Sequence, residues 1–188
     1  MCWNDVYVND ESRSHALAAA VIELERHAAA GGWDAPVGIY ALVRTADALA
    51  ENPAVATQLG AEVVAAAEAD PEHLTSIEQD GLPESANLEE LLAQLAWPET
   101  VHGAAIVVER IVVPPEAEQG MPSDDPEEAV AYLMGHPDRQ DVRVAAGVLR
   151  SGESWCVLRS RANDSDDAVA GAPDAVPGLV HALAATFS

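Results

Sequence analysis

Glu109 and Arg110 are the residues whose setting most strongly suggests chemistry. They lie within VHGAAIVVERIVVPP, residues 101–115, the most apolar stretch of the chain. A lone buried charge is costly, so each of the two residues needs a partner. Two interpretations remain open. In the first, the two charges lie at the rim near a strand end, close to arginines. In the second, Glu109 is a general base inside a pocket.

A second group of candidates lies near the C-terminus. The apolar segments DVRVAAGVLR and WCVLRSR flank residues 151–154, and Gly152 favours a two-residue type II′ hairpin turn over Gly152-Glu153. The resulting register consists of three pairs: Arg150 with Trp155, Ala146 with Arg159, and Val144 with Arg161. Because side chains alternate along a strand, this register places the three arginines and Trp155 on one face of the hairpin.

This predicted face joins Arg150, Trp155, Arg159 and Arg161 to neighbouring valines, and that composition is typical of an interface core. We therefore expect the face to bind a second copy of the chain or an acidic segment of a partner protein. In the alternative interpretation, a terminal helix covers the valines while the arginines form ion pairs with nearby acids. Both interpretations remain open.

Common catalytic and phosphate-binding motifs are missing from the sequence. GxGxxG, GxxxxGK[ST], HExxH, GxSxG and CxxC do not occur. The six histidines lack the spacing of a metal site, and Cys156, inside an apolar run, is typical of a buried thiol and not of a nucleophile. We accordingly predict no catalytic residue, no metal ion and no cofactor.

The charge balance restricts the partners of the protein. Nine arginines oppose 32 acidic residues, lysine is absent, and the net charge is −23. Such a charge disfavours binding to nucleic acid or to an anionic membrane surface, so we expect neither partner. With two cysteines, no leader-like N-terminal segment and no apolar run near the roughly 18 residues of a membrane span, we expect a cytoplasmic location.

Apolar periodicity predicts the elements that position the candidates. Helical spacing indicates helices over residues 12–30, 52–70, 87–97 and 125–135, and from Pro177 onward. Apolar runs indicate strands over residues 37–44, 74–79 and 101–113, before the hairpin.

The terminal hairpin argues against an all-parallel sheet. We predict an α+β fold with a mixed, largely antiparallel sheet and a C-terminal hairpin, packed against several helices. Residues 1–11 are predicted to be a flexible N-terminus, and residues 12–188 a single domain.

Five segments carry a resemblance to a known family: PVGIYALVRTADALAENP, LTSIEQDGLP, LAWPETVHGAAIVVERIVVPPEAE, HPDRQDVRVAAGVLRSGESWCVLRSR and PGLVHALAATF. Through them the chain resembles a family of uncharacterised small acidic actinobacterial proteins with no established activity. The resemblance implies a cytoplasmic, high-GC actinobacterial origin and assigns no catalytic residue. At the level of the fold, the chain is also similar to small acidic secretion chaperones that form dimers, although a shared fold does not establish a function.

The leading hypothesis is a non-enzymatic binding or chaperone-like module that forms a homodimer. The rival hypothesis is a small-molecule enzyme with an arginine-lined anion pocket in which Glu109 is the general base.

Overall fold

Six strands form one sheet that is antiparallel throughout, in the order β2-β1-β3-β4-β5-β6. The computed structural model describes residues 3–122 and 125–188. The strands are β1 (Gly38–Arg44), β2 (Leu74–Glu78), β3 (Gly103–Val112), β4 (Gln140–Leu149), β5 (Ser154–Ser160) and β6 (Ala170–Ala172). The predicted α+β class is confirmed, and the sheet contains no parallel pair in the part of the chain that the structure describes.

Eight α-helices accompany the sheet within the described residues. They are α1 (Trp3–Ala30), α2 (Thr45–Glu51), α3 (Ala56–Leu59), α4 (Ala61–Ala69), α5 (Leu88–Ala93), α6 (Pro115–Glu118), α7 (Pro126–Gly135) and α8 (Pro177–Ala185). The first begins at Trp3, nine residues before the predicted start of the helix at residue 12, and no glycine or proline interrupts residues 3–11. No helix of the described chain combines the length and the apolarity that crossing a membrane requires.

Helix α1 covers one face of the sheet. Its buried stripe includes Leu17, Val21 and Leu24, which pack against alternate residues of β1, β3, β4 and β5. Gly147 permits a close approach: a Cβ built there would lie 2.6 Å from Val21 Cγ2 and 3.0 Å from Leu17 Cδ1. The helix therefore rests directly on the backbone of β4.

Helices α5 and α8 cover the opposite face. Leu91 and Leu92 of α5 and Leu179 and Leu183 of α8 pack against the other set of alternating strand residues, including the buried Cys156. Both helices begin where the sequence predicts a helix start, with Asn87 accepting a hydrogen bond from the Glu90 amide and proline in the first turn of α8. Residues 103–108 of β3 and residues 142–149 of β4 are thus buried on both faces, whereas the end of β3 that carries Glu109 and Arg110 is half-buried or exposed.

The predicted long helix over residues 52–70 is wrong in one respect. Asn52 does cap a helical start, since its side chain accepts a hydrogen bond from the Ala54 amide. The helix is nevertheless interrupted between α3 and α4 because Gly60 adopts φ 84°, in the left-handed region that glycine tolerates.

The hairpin forms between β4 and β5, but its predicted turn is wrong. Leu149 and Glu153 flank a three-residue loop, and Gly152, its last residue, has φ 109°. Three-residue hairpin loops usually have a glycine with positive φ at this last position. Trp155 therefore pairs with Gly147, three residues away from the predicted Arg150. Because three is an odd number, every side chain of β5 lies on the opposite face of the hairpin from the predicted one.

The net charge of −23 predicts that salt stabilises this fold. Self-repulsion weakens as the Debye length falls from about 30 Å at 0.01 M salt to about 3 Å at 1 M. The melting temperature followed by circular dichroism is expected to rise between these concentrations of sodium chloride. A flat or falling melting temperature would contradict a dominant role of self-repulsion.

Candidate functional site

Three charged side chains form a row across the α1-facing side of the sheet. Glu109 of β3 pairs directly with Arg143 of β4, and Arg143 pairs directly with Arg159 of β5. Two arginines placed opposite each other on neighbouring strands repel each other unless acids compensate them. The row therefore requires carboxylates from another element.

Helix α1 supplies the central carboxylate through Glu25, which is 2% exposed. Its two oxygens accept hydrogen bonds from Arg159 Nε at 2.6 Å and Nη2 at 2.9 Å, and Oε1 lies 3.7 Å from Arg143 Nη1. Asp164 and Asp166, in the segment after β5, complete the shell around Arg159 at 3.2 and 2.7 Å. These hydrogen bonds, that of Glu25 above all, raise the pKa of the Arg159 guanidinium, so a permanent buried cation links α1 to β5.

Arg143 lies between this pair and Glu109. Its Nη2 donates to Glu109 Oε1 at 2.9 Å and to the carbonyl oxygen of Gly32, while Nε and Nη1 have no hydrogen-bond partner among the described residues. The side chain is 1% exposed. Arg143 therefore ties the end of α1 to the middle of the sheet with part of its bonding capacity unused.

The segment after α1 adds an aromatic residue to this charged row. The Trp33 ring lies 4.4 Å from Arg143 Cζ and 5.5 Å from Arg161 Cζ, both distances measured to the ring centroid, and both are cation–π contacts. The Trp33 indole N–H donates to Asp164 Oδ2 at 2.8 Å, which lowers the pKa of that carboxyl. Trp33 thus contacts two guanidinium groups and one carboxylate.

Asp34, the next residue, holds the segment after α1 in place through contacts with Glu109 and Arg161. Its backbone N–H donates to Glu109 Oε2 at 2.7 Å, and its carboxylate accepts two hydrogen bonds from Arg161, each of 2.9 Å. The bidentate contact with Arg161 lowers the pKa of Asp34. Asp34 adopts φ 67°, a conformation that aspartate tolerates better than most residues.

An open cleft of about 290 Å³, here called the Trp33 cleft, lies beside this segment. It is lined by Trp33, Asp34, Glu109, Arg110, Ile111, Met134, Arg139, Asp141 and Arg161. Three of the nine arginines of the chain therefore border a single cleft, together with three carboxylates and three apolar side chains.

The structure brings together some of the predicted candidates and separates the others. Glu109, Arg159 and Arg161 belong to one charged network at the end of the sheet where the Trp33 cleft lies. Arg150 lies elsewhere, where it donates to the carbonyl oxygens of Val101 at 2.7 Å, Trp97 at 2.9 Å and Pro98 at 3.0 Å and contacts the Phe187 ring. It anchors the entry to β3 and the C-terminal residues.

The predicted valine–arginine face does not exist as one surface. Trp155 and Arg159 lie on the α1-covered face, whereas Val144 and Val148 lie beneath α5 and α8. Trp155 is half-buried, and its indole N–H has no hydrogen-bond partner among the described residues. The correction follows from the three-residue shift in the hairpin register.

Sequence reasoning missed Glu25, Arg143 and Trp33. A signal for Glu25 was present, because it follows Val21 by four residues and so lies inside the buried stripe of α1. A carboxylate at such a position indicates a buried cationic partner. Trp33 carries no comparable signal, since its role depends on where the segment after α1 is directed.

A second cleft lies between α1 and the strands β1 and β2, of which β2 is at the edge of the sheet, and is here called the α1–β2 cleft. Its two adjoining parts, of about 360 and 200 Å³, share His27, Tyr40 and Glu78. The larger part is further lined by Glu23, Leu24, Leu59, Val63, His73, Leu74, Thr75 and Ser76. Both parts lie on the face of the sheet that α1 covers.

Together these features define an α+β protein with a helix bound to its antiparallel sheet by buried ion pairs and with two surface clefts at that contact. The chain belongs to the PPA1309-like protein family, whose model matches residues 17–188. The match bears out the resemblance to an uncharacterised family, and its description names no activity, ligand or partner. No curated protein and no solved structure is significantly similar to the chain.

Proposed function

We propose that the protein is a non-enzymatic binding module that forms a homodimer through the Trp33 cleft. The observation that carries this proposal is the gathering of Arg110, Arg139 and Arg161 around Trp33 and Met134 in a chain with only nine arginines. A cytoplasmic location and an actinobacterial origin belong to the same proposal.

The composition of the cleft supports a protein partner. Tryptophan, methionine and arginine are the residue types enriched in protein–protein interfaces. Met134 is 52% exposed, and Val130, four residues earlier on α7, is 59% exposed. Since residues four apart share one face of a helix, α7 presents these two apolar side chains together beside the cleft.

The arrangement of charges favours a second copy as that partner. Charges of both signs line the cleft, where Asp34 pairs with Arg161 at 2.9 Å and Asp141 lies 3.8 Å from Arg139. In a two-fold symmetric dimer the same surface of each copy faces the other, so the arginines of one copy can meet the carboxylates of its partner. Screening at physiological salt confines the repulsion between the two acidic chains to distances of about 8 Å.

The second candidate function is a small-molecule enzyme. It rests on Glu109, which lines the Trp33 cleft together with three arginines that could bind an anionic substrate. We favour the binding module because both Glu109 oxygens already accept hydrogen bonds, from Arg143 and from the Asp34 amide. A general base needs an oxygen directed at its substrate.

Reversing one charge in the cleft is expected to disrupt the dimer. Arg139→Glu should raise the dissociation constant by about ten-fold or more, because a carboxylate would replace a guanidinium among the acids of the partner copy. Sedimentation velocity at micromolar concentration measures the change. Arg26→Glu is the matched control, since Arg26 is exposed on α1, lines neither cleft and undergoes the same change of charge.

A monomeric wild-type protein at high micromolar concentration, or equal effects of Arg139→Glu and Arg26→Glu, would overturn the proposal. The second candidate function has its own test in thermal unfolding with citrate as a small anionic probe. Saturable stabilisation by citrate that Arg139→Glu abolishes would favour the anion pocket over the dimer interface.

A further inference from the structure

Tyr40 has an unused polar group in the α1–β2 cleft. Its side chain is 8% exposed and lines both parts of the cleft. The hydroxyl lies over Gly38, where an added Cβ would be 2.8 Å from the oxygen. No hydrogen bond joins it to another described residue, and the oxygen is not one of the fully buried side-chain atoms that lack a partner. The hydroxyl therefore opens into the cleft, where it is available to a ligand.

The charges of the cleft disfavour an anionic ligand. Glu78 lies directly opposite Tyr40 in the pairing of β1 with β2, and Glu23 lines the larger part, which has no arginine among its lining residues. The smaller part adds Glu109 and Arg143, which pair with each other at 2.9 Å. Carboxylates are therefore in excess, in a chain with a net charge of −23, and they favour a cation.

The other residues that line the larger part of the cleft are mainly apolar and favour a ligand with an apolar group. Leu24 of α1, Leu59, Val63 of α4 and Leu74 of β2 surround the larger part of the cleft. Its volume of about 360 Å³ falls within the range of small-molecule sites, which bury most of an apolar ligand and orient it by a few polar groups.

We propose that the α1–β2 cleft binds a small organic amine, with its ammonium group between Glu78 and the Tyr40 hydroxyl and its apolar body against Leu24 and Leu74. The proposal does not rest on the proposed dimer, although Glu109 lines both the smaller part of this cleft and the Trp33 cleft. The ammonium N–H groups donate to the Glu78 carboxylate and to the phenol oxygen, which satisfies the unused capacity of Tyr40.

The state of Tyr40 suits this role. Burial, with a smaller contribution from the Glu78 charge, raises the pKa of the phenol above its ordinary value. The phenol is therefore neutral at the pH where amines are protonated. A neutral hydroxyl accepts an N–H bond and keeps its own hydrogen for a second contact with the ligand.

Two ligands with the same apolar body test the proposal. Tryptamine carries an ammonium group and indole-3-propionate a carboxylate on an indole ring. At about pH 8, tryptamine should bind saturably in calorimetry and raise the melting temperature, whereas indole-3-propionate should do neither. Tyr40→Phe should weaken tryptamine binding about ten-fold, and Glu78→Gln at least as much.

Two controls keep the result interpretable. Tyr40→Phe removes an unpartnered hydroxyl, so the melting temperature without ligand should not fall. Glu68→Gln, on the exposed side of α4 and outside the cleft, makes the same change of charge as Glu78→Gln and should leave binding unchanged. Absence of tryptamine binding, equal binding of indole-3-propionate, or binding that Tyr40→Phe leaves unaltered would overturn the proposal, as would equal effects of the two glutamate variants.

Discussion

Glu25→Gln is expected to lower the free energy of unfolding by about 3 to 5 kcal/mol, the cost of removing one partner from a buried ion pair. Glu25 is 2% exposed and compensates Arg159, which is 3% exposed, and Arg143, which is 1% exposed. Without the carboxylate, two buried guanidinium groups face each other across neighbouring strands. Urea denaturation measures the loss as a lower midpoint at an unchanged slope.

Glu23→Gln is the matched control for this prediction. Glu23 is exposed on the same helix, so its replacement makes the same change in net charge and should alter stability by less than about 0.5 kcal/mol. A double-mutant cycle with Glu25→Leu and Arg159→Leu isolates the pair. The double variant should be more stable than the sum of the single effects predicts, and strict additivity would mean that the two residues do not act together.

Gly147→Val is expected to separate α1 from the sheet and to lower the free energy of unfolding by about 2 to 3 kcal/mol. The first added carbon already lies 2.6 Å from Val21 Cγ2, and a β-branched side chain adds two further methyl groups. The displaced helix also draws Glu25 away from Arg159, so the packing strain weakens the ion pair. Thermal unfolding followed by circular dichroism, and a rise in the fluorescence of a dye that binds exposed apolar surface, measure the effect.

Gly178→Ala is the control for a glycine that the packing does not require. Position 178 lies in the first turn of α8, and a Cβ there has no heavy atom within 4 Å. Alanine reduces the freedom of the unfolded chain and should stabilise the protein by up to about 1 kcal/mol. If Gly147→Val were tolerated as well as Gly178→Ala, the close approach of α1 to β4 would not matter for stability.

Local patterns were sufficient to predict most of the elements. Apolar spacing predicted the helix over residues 12–30, which forms the larger part of α1, and the apolar run over residues 101–113 predicted β3. The short strand β6, Ala170–Ala172, was missed. Its three small residues carry no alternation, because an edge strand of that length depends on its pairing with β5 and not on its own sequence.

The turn between β4 and β5 shows where local reasoning fails. Gly152 fits the first central position of a two-residue turn and equally the last position of a three-residue loop, because both require a positive φ. The packing of Gly147 beneath α1 and of Cys156 beneath α8 requires the three-residue loop, which only the assembled layers reveal. This difference in the turn places Trp155 and Arg159 on the opposite face of the hairpin from the predicted one.

The sequence by itself determined the α+β class, the main helices and strands, and the need of Glu109 for a cationic partner, since these depend on periodicity and on the cost of burying a charge. Only the tertiary structure decided that the partner is Arg143, that Glu25 compensates two arginines, and that Trp33 contacts both Arg143 and Arg161. Such contacts join residues that are distant in sequence. Which residues meet depends on the strand register, and the register changes with the length and type of a single turn.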